Sequence, residues 1–255
     1  MPAPCRSEAE QGRLRRHVVP ALAGDHACAR CPVRLQTFCA ILEPDELAAF
    51  KSLGSTMRIE AGQCLFHEGD PTDFVFNLTS GALKLYKLLP DGRRQITGFL
   101  FPGEFLGITF GEEHFFTAEA VETSDYCRIP RPRFEAFVES HVELERELFQ
   151  IAAHELRAAQ DQFLLLGRKT AAERLATFLS QRFDRARRRN ADWEIITLPM
   201  NRVDIADYLG LTKETVSRTF SSFRAAGLIR SLPDDRTELV ARERLEAIAG
   251  GFGEG

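Results

Sequence analysis

Residues 202–229 read RVDIADYLGLTKETVSRTFSSFRAAGLI, and this stretch decides the fold of the C-terminal part. Gly210 is expected to end a first helix in a tight turn, because glycine adopts the left-handed conformation at little steric cost. Thr212 is placed to cap a second helix, whose end falls at Gly227. Apolar residues at helical spacing would fill the core between the two helices: Ile205, Leu209, Val216, Phe220 and Phe223. The pattern predicts a helix-turn-helix.

The second helix of this motif carries a polar face at its N-terminal end. Thr212, Lys213, Glu214, Ser217 and Arg218 form that face. In a helix-turn-helix, the N-terminal residues of the second helix contact base edges in the major groove of DNA. Arginine can donate two hydrogen bonds to guanine, and glutamate can accept one from cytosine. The sequence therefore predicts double-stranded DNA as a partner and these five residues as the contacts.

The segments around the motif agree with this prediction. Residues 168–255 carry 16 Lys and Arg against 13 Asp and Glu, although the whole chain has a net charge of -4. A basic C-terminal part in an acidic protein favours nucleic-acid binding at that end. An arginine-rich run at the end of a predicted helix over 170–182 either contacts DNA phosphate or forms a solvated helix end: Arg182, Arg185, Arg187, Arg188 and Arg189. Residues 230–240 predict a hairpin wing, so 168–255 is expected to be a winged helix-turn-helix domain.

Residues 46–130 have a different pattern, in which short β-type runs alternate with turns that contain glycine and proline. The runs fall at 56–59, 64–67, 74–79, 82–89, 94–100, 118–122 and 126–129. Short strands at this spacing predict an antiparallel barrel or roll. No run of 18 apolar residues occurs in the sequence, so no transmembrane helix is expected. Together with the helices on either side, the roll gives an α+β fold class.

Residues 131–167 predict one long helix, since no glycine or proline interrupts them between Pro132 and Gly167. An apolar row at alternating steps of three and four would form a dimer seam: Phe149, Ala152, Leu156, Ala159, Phe163 and Leu166. A second apolar row, Leu144, Leu148 and Ile151, would cover the roll. One face can then meet a second copy, and we expect a homodimer. A helix packed only on its own domain is the alternative.

Residues 1–45 carry a cysteine group, Cys28, Cys31 and Cys39, and a fourth cysteine, Cys127, lies near the end of the roll. The N-terminus lacks the apolar stretch of a secretory signal, so we expect a cytoplasmic protein. Clustered cysteines in that reducing compartment favour metal binding over structural disulfides. Four thiolates match either a tetrahedral zinc site or an iron–sulfur cluster. Their spacing alone leaves that choice open.

Several segments together resemble the Fnr branch of the Crp–Fnr family of bacterial transcription regulators. They are QITGF (95–99), FPGE (101–104), ETSDYCRIP (122–130) and ETVSR (214–218), in the order roll, long helix, helix-turn-helix. The likeness covers residues 26–250, and the seven residues between Cys31 and Cys39 are similar to the FnrN- and FixK-like proteins of alphaproteobacteria. It implies a cyclic-nucleotide-binding-like roll for residues 46–130.

The resemblance also implies a function. In the Fnr branch, four cysteines hold an oxygen-labile [4Fe–4S] cluster, and the cluster-bound dimer binds a palindrome of TTGAT half-sites. Carried over, the metal ligands are Cys28, Cys31, Cys39 and Cys127, and the base readers are Glu214, Ser217 and Arg218. We then expect an oxygen-responsive regulator, mainly an activator, with one cluster per subunit and RNA polymerase as a further partner.

Two departures from the family pattern bear on these expectations. Cyclic-nucleotide-binding relatives place an Arg–Ser pair where residues 113–118 read EHFFTA, so we expect no cyclic AMP binding. Ala159 stands where the enterobacterial proteins carry an acidic seam residue, which removes a like-charge repulsion across the dimer axis. The alternative function is a zinc-stapled or thiol-redox regulator of the same family without an iron–sulfur cluster. An enzyme is not expected, because no phosphate loop or nucleophile–base signature occurs.

Overall fold

A β-roll, a pair of helices and a mainly helical C-terminal domain follow one another along the chain. The computed structural model describes residue 28 and residues 31–107, 111–189 and 193–251. Most of the predicted N-terminal segment, 1–27 and 29–30, therefore lies outside the described residues. Within the described ranges, no helix is long and apolar enough to cross a membrane.

The helices and strands have the following bounds. The helices are α1 (Pro44–Ser52), α2 (Arg131–Glu139), α3 (Val142–Arg168), α4 (Ala171–Arg189), α5 (Arg202–Leu209), α6 (Lys213–Ala225) and α7 (Arg242–Ala249). The strands of the roll are β1 (Ser55–Ile59), β2 (Cys64–Phe66), β3 (Phe74–Ser80), β4 (Leu83–Leu88), β5 (Arg94–Leu100), β6 (Phe105–Leu106), β7 (Thr117–Ala120) and β8 (Ser124–Pro130). The C-terminal strands are β9 (Ile195–Thr197), β10 (Ile229–Ser231) and β11 (Arg236–Leu239).

The roll consists of two four-stranded sheets, in the orders β1-β8-β3-β6 and β2-β7-β4-β5. Every strand pair within them is antiparallel, which confirms the predicted roll. An apolar core fills the space between the sheets: Ile59, Phe66, Phe76, Leu78, Leu83, Leu100, Leu106 and Tyr126. The seven predicted runs coincide with seven of these strands, and β6 was missed because its two residues are too short to show an alternation.

The predicted single helix over 131–167 is wrong, because a break at Ser140–His141 separates α2 from α3. The Ser140 hydroxyl donates to the Phe137 carbonyl (2.8 Å), and His141 Nδ1 lies 2.6 Å from the same oxygen. The His141 ring also stacks on Phe137 at 3.9 Å. Such local side-chain bonds compete with helix propagation. As a result α2 packs on the roll, and the long helix is α3 alone, with 27 residues.

The C-terminal domain sets the helix-turn-helix on a small sheet with the order β10-β11-β9. β10 and β11 pair antiparallel, with Ile229 opposite Leu239, and this hairpin confirms the predicted wing. Neither β9 nor α7 was predicted. The core of the domain joins α4, α5, α6 and α7 through buried apolar side chains: Leu175, Phe178, Leu179, Phe183, Ile205, Leu209, Val216, Phe220, Phe223 and Leu245.

Polar contacts dock the C-terminal domain onto β4 and β5 of the roll. Asp204 in α5 is only 2% exposed, and its Oδ1 accepts hydrogen bonds from Lys84 Nζ (3.2 Å) and Arg94 Nη2 (2.6 Å). Lys84 also pairs with Glu119 (2.9 Å), and Arg94 Nε donates to Asp207 (2.8 Å). Two cations of the roll thereby neutralise a buried carboxylate of the helix-turn-helix.

The first part of the arginine-rich run takes part in the same docking. The Arg182 guanidinium lies 3.3 Å from the centre of the Phe101 ring, and Arg185 forms an ion pair with Glu104. Both partners belong to the roll. Both side chains are half-buried against the roll, a contact that their sequence pattern does not predict, because Phe101 and Glu104 offer an aromatic face and a carboxylate beside α4.

Candidate metal centre and nucleic-acid interface

The four cysteines of the predicted metal site line one cavity beside the roll. Cys28, Cys31 and Cys39 come from the N-terminal segment, and Cys127 comes from β8. The remaining lining residues are Arg34, Leu47, Phe50, Lys51, Gly54, Ser55, Asn77 and Ile129. No three His, Cys, Asp or Glu side chains of the described ranges are already grouped to hold a metal ion. The fold thus gathers the predicted ligands around a single space without fixing them at ligating distances.

Short-range hydrogen bonds shape the cysteine segment. The Cys31 amide donates to the Cys28 carbonyl (3.4 Å), which links these two cysteines. Thr37 Oγ1 accepts a hydrogen bond from the Cys39 amide (3.1 Å) and caps a 3-10 turn over Phe38–Ala40. Phe38 is only 1% exposed and anchors that turn in an apolar core. Cys39 is therefore held both by a local cap and by burial of its neighbour.

Cys127 reaches the cavity from the interior of a sheet. β8 pairs with β1 on one side and β3 on the other, so Cys127 lies opposite Thr56 and Asn77. Residues directly opposite on antiparallel strands project to the same face of the sheet. The sheet consequently fixes the position of Cys127, whereas the other three cysteines depend on how the segment packs.

Burial makes three of the four thiols, Cys28, Cys39 and Cys127, weaker acids. It raises the pKa of Cys39 to about 12 and also raises the pKa values of Cys28 and Cys127, while the Lys51 ammonium lowers the latter two. Metal ligation requires thiolates, so a bound cation has to replace the protons. Lys51, which donates to Thr56 Oγ1 (2.9 Å), contributes further positive charge at the rim. Four soft thiols of this kind fit zinc or an iron–sulfur cluster.

Two polar groups of the cavity have no partner. Arg34 Nε and Asn77 Oδ1 are buried without a hydrogen bond to any residue that the structure describes. Buried polar groups are rarely left unpaired, so these atoms indicate room for a further polar group. Thiolates and inorganic sulfide accept hydrogen bonds, and the Arg34 donor suits them. Arg34, Lys51 and Asn77 were missed as site residues, and the one sequence signal was a lone asparagine inside the apolar run of β3.

The core around Phe38 also joins the cysteine segment to α3. In this core, Cys28 and Cys39 pack in the same apolar cluster as Leu144, Leu148 and Ile151. The second apolar row of the long helix therefore covers the roll, as predicted. The cysteine segment thus forms part of the surface on which α3 rests.

The opposite side of α3 carries most of the predicted dimer seam and is open to solvent. Phe149, Leu156 and Phe163 lie seven residues apart and are 76%, 63% and 73% exposed. Ala152 and Ala159 lie between them on the same helix face. Leu166, the last residue of the predicted seam, is half-buried against the core of the C-terminal domain. Large apolar side chains in an exposed row are typical of an interaction surface.

The helix-turn-helix is shaped by local capping. Asn201 Oδ1 accepts from the amides of Val203 (2.8 Å) and Asp204 (2.9 Å) at the start of α5. Gly210 ends that helix in the left-handed conformation with φ of 61°, and Thr212 Oγ1 accepts from the Thr215 amide (3.2 Å) at the start of α6. The turn predicted at Gly210 and the helix cap predicted at Thr212 are confirmed.

The face predicted to read DNA is accessible. Thr212, Lys213, Glu214 and Arg218 are exposed, and Ser217 is half-buried. None of the five forms an ion pair with another described residue, and Arg218 Nε reaches only the Glu214 carbonyl of its own helix (3.4 Å). These side chains are available to a partner. Their contacts with bases stay a prediction.

Two parts of the chain match known domain families. Residues 56–141 match the cyclic nucleotide-binding domain, and residues 173–248 match the Crp-like helix-turn-helix domain. The first match concerns the fold of the roll; that no cyclic AMP binds stays a prediction.

Similar proteins cover nearly the whole chain. It is 39% identical to the nitrogen fixation regulation protein FixK of Bradyrhizobium diazoefficiens, over 92% of this chain and 99% of that protein. It is 41% identical to the transcriptional activatory protein AadR of Rhodopseudomonas palustris, over 86% of this chain and 91% of that protein. It is 36% identical to the transcriptional activator protein Anr of Pseudomonas aeruginosa, over 89% of this chain and 93% of that protein.

Solved structures share the architecture. FixK2 from Bradyrhizobium japonicum superposes with a TM-score of 0.71 at 38% identity, covering 76% of this chain and 96% of that one. A CooA variant from Carboxydothermus hydrogenoformans gives a TM-score of 0.65 at 20% identity, over 79% and 90%, and shows the fold alone. The relatives are regulators of transcription or of nitrogen fixation by name, and none of those named here is an enzyme.

Proposed function

The chain belongs to the Crp–Fnr family of transcription regulators, and we propose that it is an oxygen-responsive transcription activator that binds DNA as a homodimer. In this proposal an intact [4Fe–4S] cluster, held by Cys28, Cys31, Cys39 and Cys127, is required for tight binding to a palindrome of TTGAT half-sites. One observation carries the proposal: all four cysteines line one cavity, and the segment that carries three of them packs against the N-terminal half of α3.

The donor set supports a metal group of this kind. Four thiols line the cavity, Arg34 also lines it and has a buried donor without a partner, and the Lys51 charge favours the thiolates of Cys28 and Cys127. A bound cluster would supply iron–thiolate bonds that tie the N-terminal segment to β8 and that oxygen can destroy. Ligation by Cys39 would keep its neighbour Phe38 seated against α3.

The arrangement of α3 supports a link between the cavity and dimerisation. Leu148 and Ile151 face the core shared with the cysteine segment, while Phe149 and Leu156 face outward. Seating the segment would fix the orientation of α3 and thus present its open face to a second copy. In a two-fold dimer, the two recognition helices are then about one DNA turn apart, some 34–36 Å.

The reading face supports sequence-specific contacts. Arg218 can donate a bidentate pair to guanine, Glu214 can accept from the cytosine amino group, and Ser217 can bond to several base edges. A TTGAT half-site contains one G·C base pair, which offers both the guanine and the cytosine. The family likeness carries these assignments to this chain, and RNA polymerase is included in the proposal as the machinery an activator engages.

Anaerobic purification followed by air exposure tests the proposal. We expect visible absorbance with about four iron and four sulfide per subunit, and binding to the palindrome that falls sharply in air. A duplex with scrambled half-sites controls for nonspecific binding, and Cys64→Ala controls for loss of a cysteine outside the cavity. Zinc in place of iron, with DNA binding indifferent to air, would establish the zinc-stapled alternative. A metal-free protein whose binding follows oxidant would establish the thiol-redox alternative.

A further inference from the structure

Asn77 is a polar residue in the apolar interior of strand β3. It is 4% exposed, and its neighbours Phe76 and Leu78 are 6% and 2% exposed. Burying an amide that lacks a hydrogen bond destabilises the folded chain, so an asparagine here requires a reason. Three other buried polar side chains do have partners: Lys84, Ser124 and Asp204 each form hydrogen bonds or ion pairs. Asn77 Oδ1 has none among the described residues.

The position of Asn77 associates it with the cysteine cavity. Asn77 and Cys127 are directly opposite each other in the antiparallel pair of β3 and β8. In such a pair the Cβ atoms are about 4.5–5.5 Å apart and the side chains share one face of the sheet. Both residues line the cavity that the other three cysteines also line. The unpaired amide oxygen is thus beside the one thiol whose position the sheet determines.

We propose that the Asn77 amide donates an N–H···S hydrogen bond to the Cys127 thiolate when the cavity is loaded, and that Asn77 is a positioning residue for this ligand. The inference rests on the proposed function, since it requires a thiolate at Cys127. The oxygen and nitrogen of an asparagine amide exchange places by a rotation of the terminal group, so the donor end can face the sulfur. After that rotation the amide nitrogen occupies the place of the unpaired Oδ1, and the thiolate supplies its hydrogen-bond partner.

This role differs from that of Lys51 in kind. Lys51 is a charge at the rim, bonded to Thr56, and it acts on Cys28 and Cys127 alike through the electric field. Asn77 is neutral and directional, and it faces a single ligand. A hydrogen bond to a metal-bound sulfur orients the ligand and tunes the metal group, as outer partners of metal ligands generally do.

The test compares cluster retention with the stability of the metal-free protein. Full-length wild type and Asn77→Leu are loaded with iron and sulfide, and cluster loss to an excess of iron chelator is followed anaerobically by absorbance and iron content. We expect about 10-fold faster loss for Asn77→Leu, the lower end of the usual effect of such partners. The metal-free variant should keep or raise its melting temperature, because leucine removes an unpaired polar group from the core. Asn77→Asp, which lacks the donor and adds like charge, should lose the cluster at least as fast.

Thr79→Val is the matched control on the same strand. Thr79 donates to the Asp125 carbonyl (2.9 Å), so valine should lower the melting temperature and leave the rate of cluster loss unchanged. Wild-type rates in both Asn77 variants would overturn the inference. So would a melting temperature that falls in the metal-free Asn77→Leu as it does in Thr79→Val, since that marks a structural role. A wild type that retains no iron and sulfide overturns the proposed function, and the inference with it.

Discussion

The recognition helix and the cysteine cavity are built in opposite ways. The reading face comes from one contiguous stretch, 212–218, and two local devices set its shape, the left-handed Gly210 and the Thr212 cap. The cavity collects thiols from positions 28 to 127, by packing around Phe38 and by the register of β8. The turn and the cap that shape the first lie within a few neighbouring residues, whereas the second requires the segment, the roll and α3 together.

This difference indicates where control over DNA binding can reside. A motif that is shaped locally keeps its geometry when the rest of the protein moves. A regulatory change therefore alters the position of the motif and not its conformation. A site assembled from distant parts loses ligands when one contributor shifts, which suits a sensor. α3 lies between them, with its buried face on the core shared with the cysteines and its open face carrying Phe149, Leu156 and Phe163.

Removing one thiol should give the largest effect, because it breaks the dispersed site and leaves the local one intact. We expect Cys127→Ala to abolish iron and sulfide retention and to weaken anaerobic binding to the palindrome on the order of 5–150-fold, the usual range of coupling between two sites. Iron analysis and an anaerobic DNA titration check this. Cys64→Ala should behave as wild type, and full DNA affinity in the iron-free Cys127→Ala protein would separate the cavity from DNA binding.

A charge placed on the open face of α3 addresses the connection between the two regions. If Ala159 relaxes the dependence of dimerisation on the cluster, Ala159→Asp should weaken the metal-free dimer by about 1–4 kcal/mol, through repulsion between like charges across the axis. Sedimentation of both metal-free proteins measures the dimer fraction. Ala158→Asp, at an exposed position one residue away, is the control. Equal dimer fractions in wild type and Ala159→Asp would refute the role given to Ala159.

A substitution on the reading face probes the local site alone. Arg218→Ala should cost about 1–3 kcal/mol of discrimination at the G·C pair of the half-site and leave cluster content unchanged. Binding to half-sites with that pair replaced measures the discrimination. The control is Arg224→Ala, since Arg224 is bonded to Ser221 and Ser231 within its own domain. An Arg218→Ala protein that retains the same base preference would move the reading contact to another residue.

The smallest effect is expected from the charge at the rim of the cavity. Lys51→Gln should reduce cluster retention by only roughly 0.2–1 kcal/mol, the range for partly exposed charges, and less than the loss expected from Asn77→Leu. The rate of anaerobic cluster loss at low and high salt is the measurement, with the difference shrinking in salt. Lys87→Gln, which removes an exposed ion pair with Glu68 elsewhere on the roll, is the comparison. A Lys51 effect larger than that of Asn77 would reverse the order of the two roles.

The sequence predicts the locally determined parts of this fold well. The strands of the roll follow from turn residues at regular spacing, and the helix-turn-helix follows from Gly210, Thr212 and the helical spacing of the apolar residues on either side of them. In each case the signal and the structure occupy the same few residues. The break at Ser140–His141 is local too, yet it was missed, since neither residue is a glycine or proline and the break depends on side-chain bonds to the Phe137 carbonyl.

Contacts between distant segments were not predictable in the same way. Arg182 and Arg185 resemble phosphate-binding residues in the sequence, and only the docking of the two domains places Phe101 and Glu104 beside them. The four cysteines could be grouped from their number and family likeness, but Asn77 could not be added to them. Its relation to Cys127 is a matter of strand register, which spans about 50 residues of chain.

The burial of Asp204 has a consequence for protein engineering. Its carboxylate belongs to the helix-turn-helix, while the two cations that neutralise it, Lys84 and Arg94, belong to the roll. A fragment cut at residue 168 would retain the reading head and lose both counter-charges. A fusion of this domain to another sensor should therefore include the β4–β5 hairpin or replace Asp204. The ion pairs define the unit that can be exchanged, because a buried carboxylate without its counter-charges destabilises the fold.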